Sequence, residues 1–594
     1  MAANDMARRN LIAQWAFDTR PILGRFHLWL EDVEVEWISG EGLRELRDVI
    51  SFVGGGMERL FTMTAGVSAL GTRLFGRYGE GAGLDKQGLN RVKKDADAIS
   101  AYLMSECLWY LTRTLPENHA VMVCLGEGLM PKAGETPEMG ANPMLGFGRI
   151  YARPEVAKFL DRQVRKLINN QYTWSEFQSR IDLAGITIWG TAIDTLENTS
   201  RFALGAPTGP LAVLHVFDQP LSVTKPYEGY MGNLILPREV ARAAAGDSLL
   251  IDFHTPRALV MQACRKAWPD LEPQNIHVWT LGGKSRVERI GELWAEWKAV
   301  GAHVAEDGWI LPTGRALFND SGTYSPTQIV RAWLDEQGVR HLFLVDGYAA
   351  SAEAMQAASL APILDLDVFL AVFSSTFKLP FRREGEVMQL DPRDEEFVPK
   401  LERILGAPVD AATEQTYRGY IRDVIDANIP LNKRFLMADD FLPRKRWDVM
   451  ALSGFMLDDP YVGGPGVEKI DDDTYKVTVR LSTPRGIKQV TLTLRFMEPP
   501  AVRRLVCNPL LNRFLRGEDH RERPVKISDS GRIRNELQTL CSDALDHFGE
   551  SGVRVHFDRI PPDVIVPADQ ERLREILYWY KKHHPLWFSW LELA

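Results

Sequence analysis

Four apolar runs in this chain end in an acid or nearly so: Glu127 follows "AVMVCLG", Asp218 follows "LAVLHVF", Asp252 follows "LLI" and Asp346 follows "HLFLV". Carboxylates gathered at one edge of a sheet can hold Mg²⁺ or Mn²⁺, or divide the roles of general acid and base. His254, two residues after Asp252, adds a ring that titrates near neutrality. The pattern nominates Asp252, Asp346 and His254 for acid–base chemistry, and Glu127, Asp218, Asp252 and Asp346 as metal ligands. Each acid also has a plainer reading, because Asp is a common turn former and helix cap. His215 lies inside an alternating apolar run, the usual setting of a core histidine.

Three short stretches are suited to anions. In "NDSGTYSPTQ" (319–328), Ser325, Pro326 and Gln328 predict a capped helix starting at Pro326, with Asp320, Ser321, Gly322 and Thr323 just outside it. Unpaired backbone N–H groups and the helix dipole make such a spot attractive to phosphate or carboxylate. Simple capping explains the same residues, and Asp320 would repel an anion. A partial echo, "SDSGRIRNE" (528–536), places Ser530 and Arg532 at another helix start, where cations oppose the dipole unless they face an anion or an acidic side chain. "VWTLGGKSRVERI" (278–290) ends in the Gly-Lys-Ser of a phosphate loop, but Val278 stands where the first glycine is required. A true P-loop is rejected, and Lys284 remains as an amine beside a helix start.

The elements that must position these residues follow from periodicity. Residues 1–185 read as mainly helical, with "KDADAISAYLMSECLWYLTRTL" and "RPEVAKFLDRQVRKLINN" showing apolar spacings of three and four. From 186 to 395, strand-like "GPLAVLHVFD", "DSLLIDFH", "NIHVWTL", "RHLFLVDG" and "DLDVFLAVFSS" alternate with helical segments. Alternation of this kind predicts βαβ units and an α/β fold, with a central, largely parallel sheet covered by helices. In a parallel sheet the strand ends share one edge, which is what would bring the acids together. Residues 396–594 read as an α+β region with a hairpin, "DTYKVTVRLST" and "IKQVTLTLRFM", and a C-terminal helix, "DQERLREILYWYKKHH".

Composition narrows the function classes. The net charge of −9 over 594 residues argues against a nucleic-acid-binding surface. Cys107, Cys124, Cys264, Cys507 and Cys541 are scattered, without zinc-ribbon spacing, and suggest a reducing, cytoplasmic compartment. No apolar run reaches the ~18 residues of a membrane span, and the N-terminal stretch lacks the pattern of a signal peptide. The aromatic end, "ILYWYKKHHPLWFSWLELA", must be covered either by the chain itself or by a homo-oligomer contact.

The expectation is a cytoplasmic enzyme acting on a small anionic metabolite, a phosphorylated one included, with Mg²⁺ or Mn²⁺ assistance, and with no nucleic-acid or membrane partner. Isomerisation, lyase chemistry and phosphoryl transfer all fit. The alternative is a non-catalytic assembly or scaffold subunit whose α/β core is structural.

Overall fold

A computed structural model describes residues 2–40, 56–126, 145–206, 210–225, 227, 229–281, 287–305, 309–310, 316–317, 324–374, 379–431, 435–444, 448–454, 466–497, 533–534, 537, 545–548, 552–560, 562, 565, 567–583, 585–586 and 588–594. Two sheets dominate. The larger has nine strands, in the order Leu28–Gly40, Gly486–Phe496, Thr474–Thr483, Asp448–Gly454, Leu211–Phe217, Thr187–Glu197, His119–Gly126 and Ile150–Ala152, with Val467–Lys469 added on Thr474–Thr483. Its one parallel pair is His119–Gly126 with Thr187–Glu197. The smaller sheet runs Leu366–Ser374, Gly229–Pro237, Arg340–Ala350, Ile276–Trp279, His303–Val304, with Arg331–Leu334 also on Arg340–Ala350.

The central, largely parallel sheet expected from the sequence is not what forms. Both sheets are mixed and mainly antiparallel. The reason lies in a strand that Gly and Pro punctuation concealed: Gly229–Pro237 pairs antiparallel with both Arg340–Ala350 and Leu366–Ser374. Leu211–Phe217 likewise lies antiparallel to both of its neighbours. "DSLLIDFH" is not a strand at all: Leu250 stands 56% exposed and Asp252 closes a turn.

Alternating side chains divide the sheets' faces between separate cores. Ala120, Met122 and Val213 face a core shared with Met231, Val345 and Val368 of the smaller sheet. The helix Ser351–Ser359 is buried along its whole length in that shared layer. Val121, Val123 and Leu214 face the opposite way, onto Met57–Phe75 and Lys86–Leu111. Leu234, Leu236, Leu342 and Leu344 pack against Arg257–Ala267 and Val287–Ala299. The faces of the two sheets thus divide among three cores, with the helix Ser351–Ser359 in the one they share. A separate C-terminal core gathers Val553, Val555, Leu573, Leu577, Tyr580, Phe588 and Leu591. Tyr580 and Phe588 of the aromatic tail are therefore covered by their own chain. No described helix is long and apolar enough to cross a membrane.

The outer helix Met57–Phe75 is locked to the large sheet by a buried ion pair, Lys488 Nζ to Glu58 Oε2 at 2.7 Å. Burial pushes the Lys488 ammonium down from its ordinary value, and Glu58 opposes that push. Lys488→Met should lower unfolding free energy by about 3–5 kcal/mol, because it strands a buried carboxylate. Adding Glu58→Leu to that variant should recover most of the loss, as read by urea denaturation.

Candidate functional site

The turn 252–255 sets the first wall of a cavity. Asp252 Oδ1 accepts the His254 amide at 2.8 Å and the Thr255 hydroxyl at 3.2 Å, while the Asp252 amide donates to Thr255 Oγ1 at 2.9 Å. This is the turn-forming use of Asp, and it ends at Pro256, the cap of Arg257–Ala267. Its effect is to hold the His254 ring out of the core, edge-on to Phe253 at 5.4 Å.

Behind the turn lies a charged interior. Arg257 and Asp346 are fully buried and form a two-pronged pair, Nε–Oδ2 at 2.6 Å and NH2–Oδ1 at 2.8 Å. Trp297 Nε1 donates to the same carboxylate at 2.6 Å. The remaining guanidinium nitrogen of Arg257 donates to the carbonyls of Phe253 and Thr255, tying the turn to the middle of a strand. Glu296 accepts the Arg257 amide at 3.1 Å and binds Arg382 through both oxygens, at 2.9 and 3.0 Å.

Arg382 lies on the helix Phe381–Met388, which packs on the edge strand Leu366–Ser374. Helix, strand and turn, with Pro430, Leu431 and Leu436, line a half-open cavity of about 360 Å³. Its polar lining is Asp252, His254, Arg382, Glu386 and Gln389, and its apolar wall includes Leu370, Leu431 and Leu436. Gly385 is what lets the imidazole lie against the helix, since a Cβ there would meet His254 Cε1 at 2.7 Å. Burial holds the His254 ring below its ordinary pKa; Asp252 opposes this, and Arg257 and Arg382 reinforce it. His254 is accordingly a neutral base at pH 7. The arrangement can move a proton at the ring and offer a guanidinium to an oxygen-rich group.

Of the residues nominated by sequence, Asp252 and His254 meet at this cavity. Asp346 sits mid-strand, not at a strand end, and its carboxylate is committed to Arg257 and Trp297. Asp218 follows Leu211–Phe217 in the other sheet. His119–Gly126 and Leu211–Phe217 run in opposite directions, so their ends do not share an edge. Glu127, Lys284, Ser321, Gly322, Thr323, Ser530 and Arg532 lie outside the described residues. The helix expected from Pro326 is a single turn, Tyr324–Thr327. His215 is buried beside Phe217, as its core pattern suggested.

Sequence reasoning missed Arg382, Gly385 and a second group of acids. Asp194, Glu197 and Glu353 are buried, with one oxygen from each within 4.8 Å of the others. Asp194 and Glu197 end a strand of the large sheet's parallel pair, the location that the strand-end argument sought. "WGTAIDTLEN" carried the signal, an apolar run ending in two acids. No family model matches the chain, and no curated protein matches it significantly.

The geometry separates two acids that look alike in sequence. Asp346→Asn should cost about 3–5 kcal/mol by stranding Arg257. Asp252→Asn should cost only about 1 kcal/mol, the usual net value of one hydrogen bond. Urea unfolding of the two variants measures the difference, and equal losses would contradict the assignment.

Proposed function

We propose that the cavity binds a small metabolite bearing a carboxylate or phosphate and that His254 exchanges a proton with it. The observation that carries this reading is that a neutral imidazole and a guanidinium open onto one cavity of about 360 Å³. That volume lies near the low end of the ~300–1,000 Å³ typical of ligand pockets. The charged group would face Arg382, and the apolar part would lie against Leu370, Leu431 and Leu436. Glu296 already pairs with Arg382 and holds its fork in place, so binding a charged group needs little reorganisation. One acid–base ring and one guanidinium suit isomerisation or elimination beside an anionic group. Phosphoryl transfer calls for more cationic partners than this lining supplies. The reading gives no step to Mg²⁺ or Mn²⁺.

A thermal-shift screen against small carboxylates and phosphate esters tests it. A ligand at a hundred times its dissociation constant should add about 2.7 kcal/mol of stability. His254→Asn and Arg382→Lys should each reduce that response by at least ten-fold in affinity, with the unliganded melting temperature little changed. A response that survives both substitutions sinks the proposal.

The pH dependence has a defined sign. A ring whose pKa is depressed stays in its base form as pH falls through the ordinary value of ~6.5. Turnover of the ligand so found should therefore hold steady from pH 8 down past 6.5 and fall only at lower pH. An acid limb centred at or above 6.5 would assign the base to another group.

A further inference from the structure

The far edge of the smaller sheet carries a row of imidazoles that the proposed cavity does not use. His277 and His303 are directly paired on the parallel strands Ile276–Trp279 and His303–Val304, with Nδ1 to Nδ1 at 3.0 Å. His277 Nε2 lies 3.0 Å from His341 Nδ1, and His341 Nε2 lies 3.2 Å from Asp335 Oδ2. Trp333 stacks on His341 with centroids 5.2 Å apart, and on His277 at 6.0 Å.

The protons in this row can be placed by counting. The backbone amides of Gln337 and Val339 hold Asp335 Oδ1, at 2.9 and 2.8 Å. Those amide bonds, the Val339 bond foremost, and the bond from His341 keep the Asp335 carboxyl below its ordinary range, so it is an ionised acceptor. A neutral His341 then carries its hydrogen on Nε2, towards Asp335, which leaves a lone pair on Nδ1. His277 Nε2–H donates to that lone pair, which leaves His277 Nδ1 with a lone pair aimed at His303. A carboxylate fixing the far nitrogen of an imidazole, here through a second imidazole, is the arrangement that orients metal-binding histidines.

We propose that His277 Nδ1 and His303 Nδ1 form a chelating site for a borderline divalent transition cation such as Ni²⁺ or Zn²⁺, with His341 and Asp335 as positioning residues. Imidazole nitrogen suits these ions, whereas Mg²⁺ prefers oxygen. Metal–nitrogen bonds of about 2.0–2.1 Å place neighbouring ligand nitrogens about 2.9–3.4 Å apart. The observed separation of 3.0 Å falls within that range, and a cation bound there lies off the line between the two nitrogens, so the exposed His303 ring must turn from its hydrogen bond to face it. Binding requires His303 to carry its hydrogen on Nε2 instead of Nδ1, a tautomer change on an exposed ring that releases no proton. Water completes the coordination sphere.

The test is isothermal titration of the chelator-treated full chain with Ni²⁺, which favours imidazole and is little drawn to carboxylates. The wild type should bind one equivalent. His303→Gln, at an exposed position, should weaken binding at least ten-fold without changing the melting temperature. Asp335→Asn removes no ligand, yet it should weaken binding about ten-fold by releasing the His277 tautomer. His583→Gln, elsewhere on the surface, should leave it unchanged. Absence of binding up to 1 mM Ni²⁺, or equal affinity in wild type and His303→Gln, overturns the proposal. Loss of affinity in His303→Gln together with full retention in Asp335→Asn would leave the chelate and overturn the positioning role. None of these outcomes depends on the cavity around His254.

Discussion

The helix Ser351–Ser359 has to lie between two sheets, and most of the architecture follows from that constraint. Its sequence, "SAEAMQAAS", is mostly Ala and Ser, so both sheets can approach its axis while Met355 fills the space. Small size alone would leave a buried helix free to slide between two apolar faces. Gln356 opposes this: its Nε2 donates to the Ala192 carbonyl of the large sheet at 3.1 Å. Glu353, one turn earlier, is buried with Asp194 and Glu197 of the same strand, one oxygen of each within 4.8 Å of the others. The strand Arg340–Ala350 leads directly into this helix, so fixing the helix also fixes Asp346 in the smaller sheet.

From Asp346 the order passes outward to the cavity. Its carboxylate holds Arg257, and Arg257 holds the carbonyls of the turn that presents His254. Glu296 binds both the Arg257 amide and the Arg382 guanidinium, so the two cavity walls are tied to one acid. Taking these charges out of water is costly, and the full set of hydrogen bonds offsets much of that cost. A ring on a short turn is mobile unless its backbone is held. Here every link from the sheet centre to His254 is a hydrogen bond to a buried group.

Local pattern was readable in the sequence, whereas pairing was not. The strands at 119–126, 211–217, 340–350 and 366–374 and the hairpin 474–496 all stood out by their apolar runs or alternation. The direction in which they pair depends on neighbours far away in sequence, and Gly229–Pro237, which begins among closely spaced glycines, is the strand that reverses the order. Leu28–Gly40 was legible in principle, since "LEDVEVEW" alternates, but it lay within a stretch of helical periodicity. At the cavity, Asp252 and His254 were nominated for their types. Arg382 and Gly385 sit in an ordinary-looking helix, "FRREGEVM", and only three-dimensional packing gives them a role. The histidines at 277, 303 and 341 fall singly in three strands, so only the register brings them together.

The pairing of Leu28–Gly40 with Gly486–Phe496 bears on how the chain reaches this state. A chain made at ~5–20 residues per second emits Leu28 on the order of 20–90 s before Phe496 exists to pair with it. During that interval the first strand has an unpaired, half-apolar edge, which is the kind of surface that invites association with other chains. Asp32, Glu34 and Glu36 alternate along the strand with Val33, Val35 and Trp37, and Glu31 stands at the bulge before them. The charge that makes this strand look soluble in the finished sheet also protects it while it waits on the ribosome.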